Sequence, residues 1–281
     1  MTTANTIAST QRLESKLRGF FGFKSIPFAK DLEPERPFQT EAFKQGLDRL
    51  RYLSDRQGIG AIFAAPGTGK STLLRSFLSS LGKSTHAVSY VDHTTCATVD
   101  LYREIARGFQ IEPRFRKADV LREIKERIVK LSRGQKLRAI LVIDDAHLLP
   151  TGVLEELRIL TSFEEDSRDE LTLILSGQPP LESHLRLAVN EALAQRIVLR
   201  IRLRSLHPEE AEAYLAFRLE LSGRTAKLFL PDAVEAIARA SRGLPRLIDR
   251  LSEHSLLIAL REGRKEIDAE VVTEAIDEVD P

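Results

Sequence analysis

The chain has no tryptophan, one cysteine and almost no net charge, and each scarcity closes off a class of function. A single thiol, Cys96, excludes an internal disulfide and a Cys-rich zinc site, and it suits a reducing compartment. The 42 Lys and Arg residues face 41 Asp and Glu, which leaves +1. No global basic field therefore draws the chain to nucleic acid, and any such contact has to come from a local patch. No apolar run approaches the length of a membrane span, so no membrane partner is expected. The opening MTTANTIASTQRLESK is polar and lacks the apolar core of a secretory signal; a cytoplasmic protein is expected. Internal repeats and low-complexity tracts are absent as well. What remains, 281 residues with 42% hydrophobic and 30% charged content, reads as one large or two modest globular domains.

The segment that is present and informative is AAPGTGKST, Ala64 to Thr72. An apolar run from Ile59 to Ala65 leads into it and a helix-forming run, Leu73 to Leu81, follows. Strand, glycine-rich loop and helix is the context of a phosphate-binding P-loop. The loop runs Pro66, Gly67, Thr68 and Gly69; its backbone N–H groups, from Gly67 onward, can wrap phosphate oxygens, and the helix N-terminus at Lys70, Ser71 and Thr72 adds its partial positive charge. Lys70 can reach the β- and γ-phosphates of ATP, and Ser71 offers its hydroxyl to Mg²⁺. Ala64 stands where the motif's first glycine is usual.

A second signal is ILVIDDAH. A near-continuous apolar strand, of the kind buried on both faces of a parallel sheet, ends in Asp144 and Asp145. Asp144 fits a Walker B carboxylate beside Mg²⁺. Asp145 sits where a catalytic Glu commonly polarises the attacking water, and its shorter side chain predicts slow hydrolysis. The strand LTLILSGQP ends in Ser176 and Gln178. Gln178 is the candidate to bridge γ-phosphate and water, with a plain turn as the alternative. Arg196 opens the alternating segment RIVLRIRLR, which reads as an edge strand with one charged face. It is a candidate finger for a neighbouring subunit's ATP, or an ordinary surface arginine. SRGLPRLIDRL places Arg246 at the start of a late helix, where it either senses the γ-phosphate or pairs with Asp249.

The organisation along the chain is a flexible tail over 1–16, an α/β nucleotide-binding domain over 17–206, and a helical lid over 207–281. Five phenylalanines between Phe20 and Phe38 read as a hydrophobic strap packed over the core, with a strap that also covers the adenine as the functional alternative. Helices are predicted near 41–56, 98–109, 118–133, 152–163, 208–222, 231–241, 245–262 and 268–278, and strands alternate with them up to residue 204.

These features in this order resemble the AAA+ ATPases: Walker A, Walker B, sensor 1, arginine finger, and sensor 2 in a C-terminal helical lid. The resemblance covers roughly residues 38–278. It implies a central parallel sheet flanked by helices with a small all-helical lid. FFGFKSIPFAKD, IDDAHLL, LILSGQPPL and QRIVLRIRLRSL look more narrowly like the ExeA/TniB/TnsC group of transposon and type II secretion ATPases. Secretion members carry a transmembrane segment and a peptidoglycan-binding domain after the ATPase, and neither appears before Pro281. The resemblance therefore favours the transposition branch. It implies a homo-oligomeric ring or filament on double-stranded DNA that recruits a transposase, with or without a target selector. The alternative it leaves open is an ATPase assisting a secretion or envelope machine. DNA contacts would come from Thr94, Thr95, Arg114, Arg116 and Lys117, for which a plain solvated surface is the competing reading. His93 has no second metal ligand at suitable spacing.

Overall fold

The computed structural model describes residues 2–29, 36–92, 94–95, 97–163, 169–224 and 227–279, with side chains from residue 12 onward. His93, Cys96 and the middle of the predicted strap, 30–35, lie outside the described residues. In chain order the elements are α1 (Thr2–Phe21), α2 (Glu41–Arg56), β1 (Gly58–Ala64), α3 (Lys70–Ser79), β2 (His86–Val91), α4 (Thr98–Gly108) and α5 (Lys117–Val129). Then come β3 (Arg138–Ile143), α6 (Thr151–Thr161), β4 (Leu171–Gly177), α7 (Pro180–Leu185), α8 (Glu191–Arg196) and β5 (Ile197–Leu203). Four helices follow: α9 (Pro208–Leu221), α10 (Pro231–Ser241), α11 (Pro245–Glu262) and α12 (Ala269–Val279).

Contacts divide the chain into two compact units: Glu41–Pro66 with Lys70–Arg204, and Met1–Thr40 with Gly67–Gly69 and Ser205–Pro281. The first is built on a five-stranded, all-parallel sheet in the order β2-β3-β4-β1-β5. Its strands are sorted by their period of two. Ala61, Leu141, Ile143, Leu173 and Leu175 face a core completed by α4, α5 and α6. Ile62, Ile140, Val142 and Ile174 face the opposite core, where Leu50 of α2 and Leu73, Leu74 and Phe77 of α3 cover them. Phe77 is fully buried there, and truncating such a side chain to Ala costs about 3–5 kcal/mol. The alternating β5 is an edge strand, as its charged face predicts: Ile197, Leu199 and Ile201 are buried while Val198, Arg200 and Arg202 are exposed.

The second unit is helical. α9, α10 and α11 each begin with proline, whose fixed φ suits the first helical position and whose missing N–H has no partner to lose there. The predicted ranges of these helices match to within a residue. Two sequence expectations differ. Residues 2–16, expected as a flexible tail, lie within α1. The strap, expected to pack on the sheet domain, instead joins the helices: Phe21, Phe23 and Phe28 are buried with Leu251, Leu256 and Phe229. The Arg218 guanidinium donates to the carbonyls of Pro27 (2.9 Å) and Ala29 (2.7 Å), which ties the strap to α9.

Candidate functional site

β4 lies between β1 and β3, so the C-terminal ends of all three strands meet at one edge of the sheet. In open parallel sheets this edge is where ligands bind. After β1 the loop turns through Gly67 (φ +81°) and Gly69 (φ +97°), a left-handed conformation that side chains strain. A Cβ placed on Gly69 would meet no atom within 4 Å. Glycine is therefore kept for its backbone geometry, and the space beside it is open. α3 starts at Lys70 directly after the loop; the first-turn N–H groups of a helix have no partner within it, and its dipole is positive at that end. By contacts Gly67–Gly69 group with the helical unit, where the Arg246 N–H donates to the Gly67 carbonyl (3.4 Å).

The acidic half of the site is set by the same strand alternation. Tyr90, Asp144 and Ser176 fall on the sheet face that α3 covers. Asp144 is 7% exposed, and its carboxylate takes four donors. Lys70 Nζ, Ser176 Oγ (3.0 Å) and the Asp145 N–H (2.9 Å) donate to Oδ1, and the Tyr90 hydroxyl donates to Oδ2 (2.7 Å). Burial pushes the Asp144 carboxyl up, but the Lys70 and Tyr90 hydrogen bonds and the Lys70 charge outweigh it, so it titrates below its ordinary range. Burial and the Asp144 contact push the Tyr90 phenol up, so it remains a proton donor.

Asp145 carries φ +48°, rare for a non-glycine residue, and its side chain remains 46% exposed. Lys70 Nζ is 3.1 Å from Asp145 Oδ1, so one ammonium bridges both carboxylates. His147 Nδ1 lies 3.9 Å from the same oxygen and makes no hydrogen bond.

This donor set fits a magnesium-bound nucleoside triphosphate. Loop N–H groups and Lys70 suit phosphate oxygens, while the Ser71 hydroxyl and Asp144 carboxylate are hard oxygen ligands suited to Mg²⁺. When bound, the ion would supply charge neutralisation at the phosphates. Asp145, beside it, is a carboxylate able to accept a proton from water.

The remaining candidates are placed as follows. Gln178, preferred in the sequence over Ser176, is partly exposed just beyond β4, and its carbonyl accepts the Leu181 N–H. Ser176, fully buried, is the residue of this pair that touches Asp144. A hydroxyl near the C-terminal end of a wholly buried strand, level with the acidic end of its neighbour, was the available signal, because buried polar groups usually find a partner. Arg196 ends α8, where it donates to Ser162 Oγ (2.9 Å). Asp249, considered as a mate for Arg246, is engaged by Tyr214 (3.0 Å) and Arg218 (3.5 Å).

Among the residues considered for DNA, Thr94 is 2% exposed, and its hydroxyl donates to the Asp145 carbonyl (3.1 Å). It braces the site instead of facing a surface. Arg114 pairs with Glu123 and Lys117 with Glu156, both at 2.5 Å, while Thr95 and Arg116 are exposed. Tyr90 was not named from the sequence, and Thr94 was named only for DNA, because neither belongs to the motifs around Lys70 and Asp144.

Residues 53–185 match the AAA domain family. The chain is 34% identical over 256 residues, 88% of its length, to General secretion pathway protein A of Aeromonas hydrophila, and it spans 46% of that protein. Among solved structures it resembles Cdc6p from Pyrobaculum aerophilum (TM-score 0.70, 21% identity, 90% of this chain and 70% of that one). It also resembles the Aeropyrum pernix ORC1 protein in complex with DNA (TM-score 0.64, 18% identity, 90% and 68%). At these identities the structural likeness is one of fold.

Proposed function

We propose, from the premise that this chain belongs to the AAA-type P-loop ATPase family, that it is a slow ATP-hydrolysing switch serving a multiprotein assembly. ATP and Mg²⁺ are its cofactors. The observation that carries the reading is the single Lys70 ammonium seated on Asp144 and Asp145 beside the left-handed glycine loop. Lys70 exchanges these carboxylates for phosphates, Asp144 and Ser71 hold the cation, and Asp145 accepts the proton of the attacking water. Ser176 takes the position assigned in the sequence to Gln178, Arg196 reaches a neighbouring copy's nucleotide, and Arg246 reports the state of the P-loop through Gly67. Differential affinity between nucleotide states, not ATP binding as such, does the switching.

The assembly is an envelope or secretion machine. The support is 34% identity across 88% of the chain to a protein named for general secretion. None of the relatives named above points by its name to the transposition branch favoured by the motif pattern. A second reading, assembly on duplex DNA with a transposase, draws support from the likeness to ORC1 in complex with DNA. ATP hydrolysis and particle size, measured with and without duplex DNA, separate the two. Lys70-dependent hydrolysis indifferent to DNA supports the secretion reading. Hydrolysis and assembly that require DNA replace it with the second. Absence of hydrolysis under both conditions overturns the ATPase itself.

A further inference from the structure

Tyr90 reaches the site from outside its motifs. It lies on β2, which pairs with β3 and, among the described residues, forms an edge of the sheet, and it is 41% exposed. Its hydroxyl nonetheless ends 2.7 Å from Asp144 Oδ2. The other three donors to this carboxylate all sit on Oδ1. Rotation of a carboxylate about its last torsion is soft, with broad minima. A donor on each oxygen removes that freedom, whereas donors on one oxygen leave the other to swing. Once phosphates draw Lys70 away, Ser176 on Oδ1 and Tyr90 on Oδ2 are the two side chains that keep the carboxylate plane fixed.

We propose that Tyr90 is a positioning residue for the divalent cation, its hydroxyl holding the Asp144 carboxylate at the angle from which it binds the metal. This rests on the nucleotide-site reading above. Partners that orient metal ligands typically contribute 10–100-fold in metal affinity or activity. Tyr90→Phe keeps the exposed ring on the edge strand and removes only the donor, so the fold is retained.

The test uses the full chain and a fluorescent, non-hydrolysable ATP analogue, titrated with Mg²⁺ and, separately, in EDTA. Tyr90→Phe is expected to need about 10–100-fold more Mg²⁺ for half-maximal analogue binding. Its metal-free affinity for the analogue should equal wild type, and Tyr52→Phe, on the exposed face of α2, should match wild type in both. A purely structural tyrosine would move both affinities together. A wild-type Mg²⁺ midpoint in Tyr90→Phe, or an equal loss of metal-free affinity, overturns the proposal alone. Wild-type protein that does not bind the analogue, or Lys70→Ala that binds it equally well, overturns the nucleotide site and the proposal with it.

Discussion

Lys70→Met tests the electrostatics of the site without any ligand. The substitution keeps most of the side chain's volume and removes the ammonium that bridges Asp144 and Asp145. Asp145 is nearly half exposed and water compensates it, so the cost falls on Asp144, whose side chain is 10% exposed. A hydrogen bond to a charged group contributes about 1.5–3 kcal/mol. The three remaining donors spare Asp144 the full penalty of a buried unpaired charge, about 3–5 kcal/mol. An independent ceiling comes from protonation. The carboxyl can neutralise itself, which at pH 7 costs no more than about 4 kcal/mol, the distance from its unfolded pKa at about 1.4 kcal/mol per pH unit. Both limits agree with a loss of about 1.5–3 kcal/mol, or about 3–12 °C in Tm.

The pH dependence carries the sign. The folded-state pKa of Asp144 lies below its unfolded value, so its stabilising contribution is complete above the unfolded pKa and disappears as pH falls through the folded one. Removing Lys70 raises the folded pKa. The gap between wild type and variant, measured by circular dichroism melts, should therefore be full at neutral pH and narrow below about pH 4. Equal Tm values at pH 7, or a gap that persists unchanged at pH 3, would refute the assignment of Lys70 as the counterion of a buried Asp144. Adding ATP and Mg²⁺ should raise the Tm of wild type and leave that of Lys70→Met unmoved.

Asp145→Asn should retain Mg²⁺-dependent nucleotide binding and lose about 10²–10⁴-fold in hydrolysis, read by phosphate release in single-turnover conditions. Nearly wild-type turnover would remove Asp145 from the chemistry. Gly69→Ala, at φ +97°, should weaken nucleotide binding while the circular dichroism spectrum stays native; unchanged nucleotide affinity would contradict the need for a left-handed turn there. In the helical unit, burial pushes the Asp249 carboxyl up to about 6, against the pull of Arg218. A raised folded pKa means stability present below the unfolded value near 4 and lost as pH rises through 6. The Tm difference between Asp249→Asn and wild type should therefore move in the variant's favour from pH 4 to pH 7, by the equivalent of about 3 kcal/mol. A pH-independent difference would show that Asp249 titrates normally.

Most of the fold was legible because its signals are local. The apolar strands ending at Ile143 and Gly177, the alternation of β5 and the prolines opening α9, α10 and α11 each act within a few residues. Lys70 and Asp144 were brought forward for the same reason, since the P-loop and the acid-ended strand are contiguous motifs, and the structure puts the two side chains in contact. What escaped depends on neighbours distant in sequence. Ser176, named in the sequence but set second to Gln178, and Tyr90, not named there, meet Asp144 because β4 and β2 flank β3, a matter of strand order that no segment states. Thr94 reads as a loop hydroxyl until Asp145 takes up its left-handed turn above it. The strap's phenylalanines announce burial but not against what, and their partners Leu251, Leu256 and Phe229 lie more than two hundred positions away.

That last pairing has a consequence for how the chain is made. The helical unit shares one core between residues before Thr40 and residues after Arg204, while the sheet unit is encoded between them. During synthesis Phe21, Phe23 and Phe28 emerge early and wait for α9 and α11. At roughly 5–20 residues per second, the wait is on the order of ten seconds or more. Through that interval three aromatic rings stand open to chaperones and to neighbouring chains, and a product terminated early would never cover them. The sheet unit can close in the meantime, so the ribosome delivers the pairing of Lys70 with Asp144 before it delivers the helix that carries Arg246.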